Sequence, residues 1–265
     1  MLQIDLTGKT AIVTGSTAGI GFAIASNLAD AGATVIINGR SEGSVGKAVD
    51  AMLAETPKRK LHGIAADVTT AEGAAALVEQ AGAVDILVNN LGIFGAAEPL
   101  EISDDQWLRY FEVNVLSAVR LTRLLLPGMQ ERGWGRILNI ASDSATVIPA
   151  EMIHYGVSKT ALLGVSRGFA KAAAGTGVTV NSVIAGPTHT PGVEDFVYQL
   201  VSKDLPWEQA QREFMKLHRP QSLIQRLIEP VEIANMVAYL ASDLASATTG
   251  GALRVDGGYV DSILP

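Results

Sequence analysis

Three glycines, at positions 15, 19 and 21, stand between a short β-branched run, Thr10 to Thr14, and an Ala-rich, helix-like stretch, Phe22 to Ala31. Glycine adopts left-handed backbone without steric cost and lets main chain approach main chain or ligand, so the pattern reads as strand, glycine turn and helix. Such a turn offers free N–H groups and the positive end of a helix dipole to an anion, which is how a βαβ unit holds a dinucleotide pyrophosphate. Ser16, Thr17 and Ile20 fill the loop between the glycines and join Gly15, Gly19 and Gly21 as candidate contacts. No Lys-Ser/Thr ending follows, which disfavours a nucleoside-triphosphate loop. The stretch from Thr10 to Ala29 is free of charge for 20 residues. Gly15, Gly19, Gly21, Ser26 and Asn27 interrupt it, so it does not read as a membrane span.

Beyond this unit, short apolar runs alternate with longer Ala/Leu-rich segments, the signature of a parallel sheet with helices on both faces. Seven strands are expected, at 10–14, 34–38, 61–66, 84–88, 136–140, 178–183 and 252–255, with helices near 19–31, 43–54, 71–81, 104–129, 154–174 and 230–241. The fold class is therefore α/β, a single-domain Rossmann-type doubly wound sheet over residues 1–265, since no linker or repeat divides the chain. The exception is a connection from Pro187 to Glu229, long for a compact domain and rich in Pro and aromatics. It reads as a helical substrate lid over the C-terminal sheet edge.

Composition narrows the partners. With 20 Lys+Arg against 27 Asp+Glu the formal charge is −7 and no basic run exists, so neither nucleic acid nor an anionic membrane is an expected partner. There are no cysteines, hence no disulfide frame, thiolate nucleophile or zinc–thiolate site. His62, His154, His189 and His218 lack metal-ligand spacing, and no metal is expected. The opening Met1 to Lys9 has an acid where a secretion signal wants bases, so a cytoplasmic setting is expected.

About 20 residues past the glycines, a carboxylate would bind the adenosine ribose 2′-hydroxyl, but the chain reads Asn38-Gly39-Arg40-Ser41. The planar Arg40 guanidinium suits a 2′-phosphate, which favours NADP(H) over NAD(H). Further on, Tyr155 and Lys159 are one helical turn apart on one face. A free phenol near pH 10 is a poor base at neutrality, and an adjacent cation favours its phenolate, making Tyr155 a proton donor and acceptor. Ser142 follows an apolar strand, so its hydroxyl belongs at the carboxyl end of the sheet. It lacks a Gly-x-Ser-x-Gly elbow and an evident His-acid pair, which disfavours a hydrolase.

With these residues in order, the chain resembles the short-chain dehydrogenase/reductase family over almost its whole length. The resemblance rests on Thr14-Gly-xxx-Gly-x-Gly21, Asn89-Asn-Leu-Gly92, Asn114, Ser142, Tyr155-xxx-Lys159 and Gly186-Pro-Thr-x-Thr190. It implies hydride transfer between a nicotinamide and a ketone/aldehyde and alcohol pair, with Tyr155 handling the proton and Ser142 polarising the substrate oxygen. It further implies that Lys159 binds the nicotinamide ribose, that Asn114 supports a water-linked proton relay, and that Asp67, Val68, Asn89, Gly92, Pro187, Thr188 and Thr190 border the cofactor. Leu91 departs from the family's usual Ala and adds bulk beside it. Reduction of 3-oxoacyl thioesters is one candidate reaction within the family, and a non-catalytic nucleotide sensor is the alternative outside it.

The substrate is expected to be a small molecule with a sizeable apolar part, walled by Ile93, Phe94, Val147, Ile148, Val193 and Phe196, with Asp143, Ser144 and Glu151 near enough in sequence to touch polar groups. His154 is expected at the surface. The stripe Trp107, Phe111, Leu116, Leu121 and Leu124 and the apolar Leu162, Val165 and Phe169 exceed what one sheet face needs. Burial between subunits would absorb them, so a homo-oligomer, tetramer or dimer, is expected.

Overall fold

The computed structural model describes residues 3–263. Seven parallel strands form one sheet in the order β3-β2-β1-β4-β5-β6-β7. They are β1 (Thr10–Val13), β2 (Thr34–Gly39), β3 (Lys60–Ala65), β4 (Ile86–Asn89), β5 (Gly135–Ser142), β6 (Val178–Ala185) and β7 (Ala252–Val255). Every residue of β4, β5 and β6 is buried, as strands covered on both faces must be. Helices α1 (Gly19–Asp30), α2 (Glu42–Glu55) and α3 (Ala71–Ala81) connect the first four strands. Two apolar cores result, one around Ile24, Leu28 and Val237 on one face and one around Leu77, Leu121 and Ile137 on the other.

The sequence pattern suggested one helix over 104–129. The structure instead has α4 (Asp104–Phe111), a π-helical turn at Glu112–Leu116 and α5 (Ser117–Glu131). Apolar periodicity cannot reveal an added residue in a turn, and such turns gather at functional sites. Helix α6 (Ile153–Ala172) follows β5.

After β6 the chain leaves the sheet to build α7 (Pro191–Leu200) and α8 (Trp207–His218), then returns to α9 (Pro230–Ala241). This excursion has its own small core of Val197, Ala210, Phe214, Met215 and Leu227. Its base is pinned where Ile228 N donates to Pro187 O (2.8 Å) and His189 N donates to Ile228 O (2.8 Å). The connection that looked long for a loop is thus a two-helix unit anchored at both ends. Strand order reverses direction at β1 and β4, and the crevice of an open α/β sheet lies outside the strand ends at that switch point.

Candidate active site

The glycine loop is built by contacts that leave no room for side chains. Gly15 (φ 61°) and Gly19 (φ 56°) are left-handed, and a β-carbon on Gly21 would overlap Gly15 O and lie 2.5 Å from Asn90 Nδ2. That amide donates to Thr14 O (2.9 Å) and Gly15 O (3.2 Å), tying the end of β4 to the loop. Ser16 is fully buried; its Oγ donates to Val13 O (2.7 Å) and accepts from Asn38 N (3.0 Å), so its side chain shapes the loop from inside. Helix α1 starts after Ala18 with no side-chain cap and no acid in its first turn. Ala18, Gly19, Ile20 and Gly21 line the cleft, so these uncapped N–H groups and the dipole are left for an anion. A pyrophosphate fits this cradle, and a side chain at position 21 would fill it.

At the end of β2, Arg40 and Ser41 are exposed. Ser41 Oγ caps α2 by accepting from Ser44 N (3.3 Å). Asp67, past β3, accepts from Thr69 Oγ1 (2.7 Å) and Thr69 N (3.1 Å). The Thr69 hydroxyl is the main cause that holds its carboxyl below the usual range, and the Arg40 charge adds to it. The side chain of Val68 belongs to the core. Asn89 does not point towards the cleft: its Nδ2 donates to Asn139 Oδ1 (2.8 Å), at the start of a buried chain through Ser166 and Ser182. The neighbouring Asn90 faces the cleft instead, a one-residue choice that strand alternation alone left open. Leu91 also turns away, packing on the core under α3 and α5 and against Gly15.

Ser142, Tyr155 and Lys159 meet at the carboxyl end of β5 in one cleft of about 490 Å³. Ser142 Oγ lies 2.9 Å from Asp143 Oδ1, accepts from Ser144 N (3.2 Å) and also hydrogen-bonds the Tyr155 phenol. A hydroxyl has one proton, so Ser142 serves either the Asp143 carboxylate or the oxygen at the Tyr155 side, not both. Lys159 Nζ donates to Ile140 O (2.9 Å) and sits 5.8 Å from the Tyr155 ring centre. Burial pushes the Lys159 ammonium down to about 8 and the Tyr155 phenol up from its ordinary 10. For Tyr155, desolvation is the largest cause of the shift, and the Ser142 hydroxyl works against it.

Asn114 lies in the π-helical turn, fully buried. Its Oδ1 accepts from Ile93 N (2.8 Å), and its Nδ2 donates to Ile93 O (3.0 Å) and Ser158 Oγ (2.9 Å). It clamps the strand end after β4 to α6. Gly92 fits between, since a β-carbon there would lie 3.2 Å from Lys159 Nζ and 3.3 Å from Asn114 Oδ1.

From the post-β6 segment, Pro187, Thr188, Thr190 and Val193 line the cleft, and Thr190 Oγ1 caps α7. Phe94, Ser144 and Phe196 line it as well, and Phe94 meets Tyr155 edge-on at 6.4 Å. Ile148 and Val147 do not. Both are exposed, and Ile148 packs over Gly156 outside the cleft, because the segment after Ala145 turns away from the strand end. His154 is not at the surface: it is 2% exposed, with Tyr110 at 4.0 Å and Trp107 at 6.2 Å, and burial lowers its pKa. Met152, Phe214 and Arg219 line the cleft too, and no sequence motif marks them for it. The last two come from α8 and its C-terminal end, whose placement no local sequence rule fixes. Among the described residues, no cluster of His, Asp or Glu could hold a metal, and no helix is long and apolar enough to cross a membrane.

The family profile described as enoyl-(acyl carrier protein) reductase matches residues 15–260. An uncharacterized oxidoreductase of Bacillus subtilis, YvaG, is 50% identical over 99% of this chain and all of its own length. D-beta-hydroxybutyrate dehydrogenase of Cupriavidus necator is 36% identical over 96% of this chain and 99% of that protein. The crystal structure of L-sorbose reductase from Gluconobacter frateurii, complexed with NADPH and L-sorbose, superposes with a TM-score of 0.91 at 32% identity, covering 99% of this chain and 100% of that one. On these likenesses the chain belongs to the short-chain dehydrogenase/reductase family and is an NAD(P)-dependent oxidoreductase that interconverts carbonyl and alcohol groups of small molecules.

Proposed function

We propose that the enzyme prefers NADP(H) and moves the substrate proton through Tyr155, with Ser142, Lys159 and Asn114 in support. Arg40 carries the cofactor preference. It stands exposed at the end of β2 with no hydrogen bond or ion pair among the described residues, where a discriminating carboxylate would otherwise be. Its guanidinium is free to take a 2′-phosphate, a charge-assisted contact worth about 1.5–3 kcal/mol. Arg40→Ala is expected to weaken NADPH binding by about 10- to 100-fold and to leave NADH within a few-fold, by fluorescence titration. Equal loss for both cofactors, or none, would overturn the preference.

The bound nicotinamide supplies or accepts the hydride. Ser142 donates to the substrate oxygen once its proton turns from Asp143, and Tyr155 gives or takes the proton at that same oxygen. Lys159, anchored on Ile140 O, places a positive charge beside the phenol, and Asn114 holds Ile93 and Ser158 so that Gly92 stays against Lys159. Because burial keeps Tyr155 protonated at neutrality, it is ready as an acid for carbonyl reduction. Alcohol oxidation needs the phenolate and is expected to gain rate from pH 7 to 10, whereas reduction falls as Lys159 loses charge above about 8. Initial rates in both directions across that range check the signs; parallel profiles would contradict the assignment.

The unit of α7 and α8 supports a lid role, since Val193, Phe196 and Phe214 project from it into the cleft. Assembly into an oligomer is supported by exposed apolar residues on α4 to α6, including Leu108, Phe111, Leu124 and Val157.

A further inference from the structure

Two charged residues line the cleft besides the groups that handle the proton: Asp143, next to Ser142 after the end of β5, and Arg219, at the C-terminal end of α8. Asp143 is 7% exposed, and its Oδ1 takes hydrogen bonds from Ser142 Oγ (2.9 Å) and Ser144 Oγ (3.3 Å). Arg219 is held between two rings, 5.4 Å from that of Phe214 and 5.5 Å from that of Tyr259. Its Nη1 donates to His218 O (2.7 Å), while its Nη2 makes no hydrogen bond among the described residues and is not buried. Arg219 lines the cleft, so its spare guanidinium donors are satisfied when an acceptor enters there.

The two charges are coupled, for burial raises the Asp143 carboxyl and the Arg219 charge works against that rise. A subsite with one anion and one cation is neutral as a whole. A substrate carboxylate would meet Arg219 but also Asp143, beside the reacting carbonyl, where like charges repel. A purely apolar substrate would strip water from Arg219 and Asp143 and offer neither a partner. A hydroxyl answers both groups, donating to the Asp143 carboxylate and accepting from Arg219.

We propose that Asp143 and Arg219 form a substrate subsite for hydroxyl groups next to the reacting carbonyl, so that the enzyme acts on polyhydroxylated ketones and their alcohols. This rests on the carbonyl/alcohol oxidoreductase reading and adds to it the substrate class. Apolar walls at Phe94, Met152 and Val193 then cover the carbon faces of such a substrate. The subsite also ties selectivity to the lid, because Arg219 belongs to the excursion and Asp143 to the sheet.

The test compares kcat/KM for L-sorbose, 2-hexanone and 3-oxohexanoate with NADPH, in the wild-type enzyme and in Arg219→Gln and Asp143→Asn. The ketohexose is expected to exceed 2-hexanone by about 100-fold or more, since a site built to hydrogen-bond a hydroxyl rejects the analogue that lacks it. Both substitutions are expected to compress that ratio at least 10-fold, mostly through KM. A loss shared equally by all three ketones would mark a structural role and overturn the subsite. Preference for 3-oxohexanoate that disappears in Arg219→Gln would overturn it in favour of a carboxylate. A wild-type preference for 2-hexanone overturns the substrate class and leaves the oxidoreductase reading standing. Tight NADPH binding with no reduction of any ketone in a wider carbonyl panel would instead overturn that reading, and the subsite with it.

Discussion

Tyr155→Phe is expected to lower turnover by about 10³- to 10⁴-fold while NADPH binds within a few-fold of wild type, because the substitution removes one proton-transfer group and nothing else the cleft needs. The ring remains. It can keep its edge-on packing against Phe94, and Lys159 keeps its hydrogen bond to Ile140 O, so the positions that border the nicotinamide side do not move. What disappears is the hydroxyl that shares Ser142. Ser142 then keeps its proton on Asp143, and no group remains to protonate the product alkoxide. Steady-state rates with the best ketone substrate, beside a fluorescence titration of NADPH, separate the two effects. Residual activity above about a tenth of wild type would show that Tyr155 is not the acid, since general acid catalysis is worth at least 10²-fold. A parallel collapse of NADPH affinity would place Tyr155 in cofactor binding rather than in proton transfer.

The legible part of the structure is what short-range rules govern. Period-two and helical apolar patterns reproduce the strand at Ala252–Val255 and the helices at Ala71–Ala81 and Pro230–Ala241 to the residue, and the sheet's parallel order follows from alternation with helices. Glycines at 15, 19 and 21 announce the cradle because only backbone freedom and lack of bulk can build it. The choices that go wrong depend on direction or on long-range packing. Asn89 and Asn90 differ by one step along a strand end, and which of them faces the cleft depends on where β4 stops. His154 has the composition of a surface residue but falls under Trp107 and Tyr110 of α4, a contact between distant segments that no local pattern marks. Arg219 is 77 residues from Ser142 in sequence and reaches the same cleft only because α8 folds on its own small core.

Gly21→Ala is expected to reduce NADPH affinity by more than 100-fold and to cost about 1–3 kcal/mol of stability, the usual range for forced overpacking. The residue has ordinary helical backbone, so conformational freedom is not the reason; the reason is the space its β-carbon would need. That carbon would overlap Gly15 O, which cannot swing aside, because Gly15 is fixed in left-handed backbone and its carbonyl accepts from Asn90 Nδ2. Relief requires either rotating the Gly15 peptide or breaking the Asn90 tie between β1 and β4. Both routes displace the uncapped first turn of α1, whose N–H groups must converge on one anion, and a shift near 1 Å weakens all of them together. Gly46→Ala on the exposed face of α2, where an added β-carbon meets nothing within 4 Å, is the internal control and should gain about 0.5–1 kcal/mol from helix propensity. Thermal melts and NADPH titrations of both variants give opposite signs in stability and a large affinity loss in only one. If Gly21→Ala melted and bound NADPH like Gly46→Ala, the loop would be plastic, and its glycines would not be what holds the pyrophosphate site in shape.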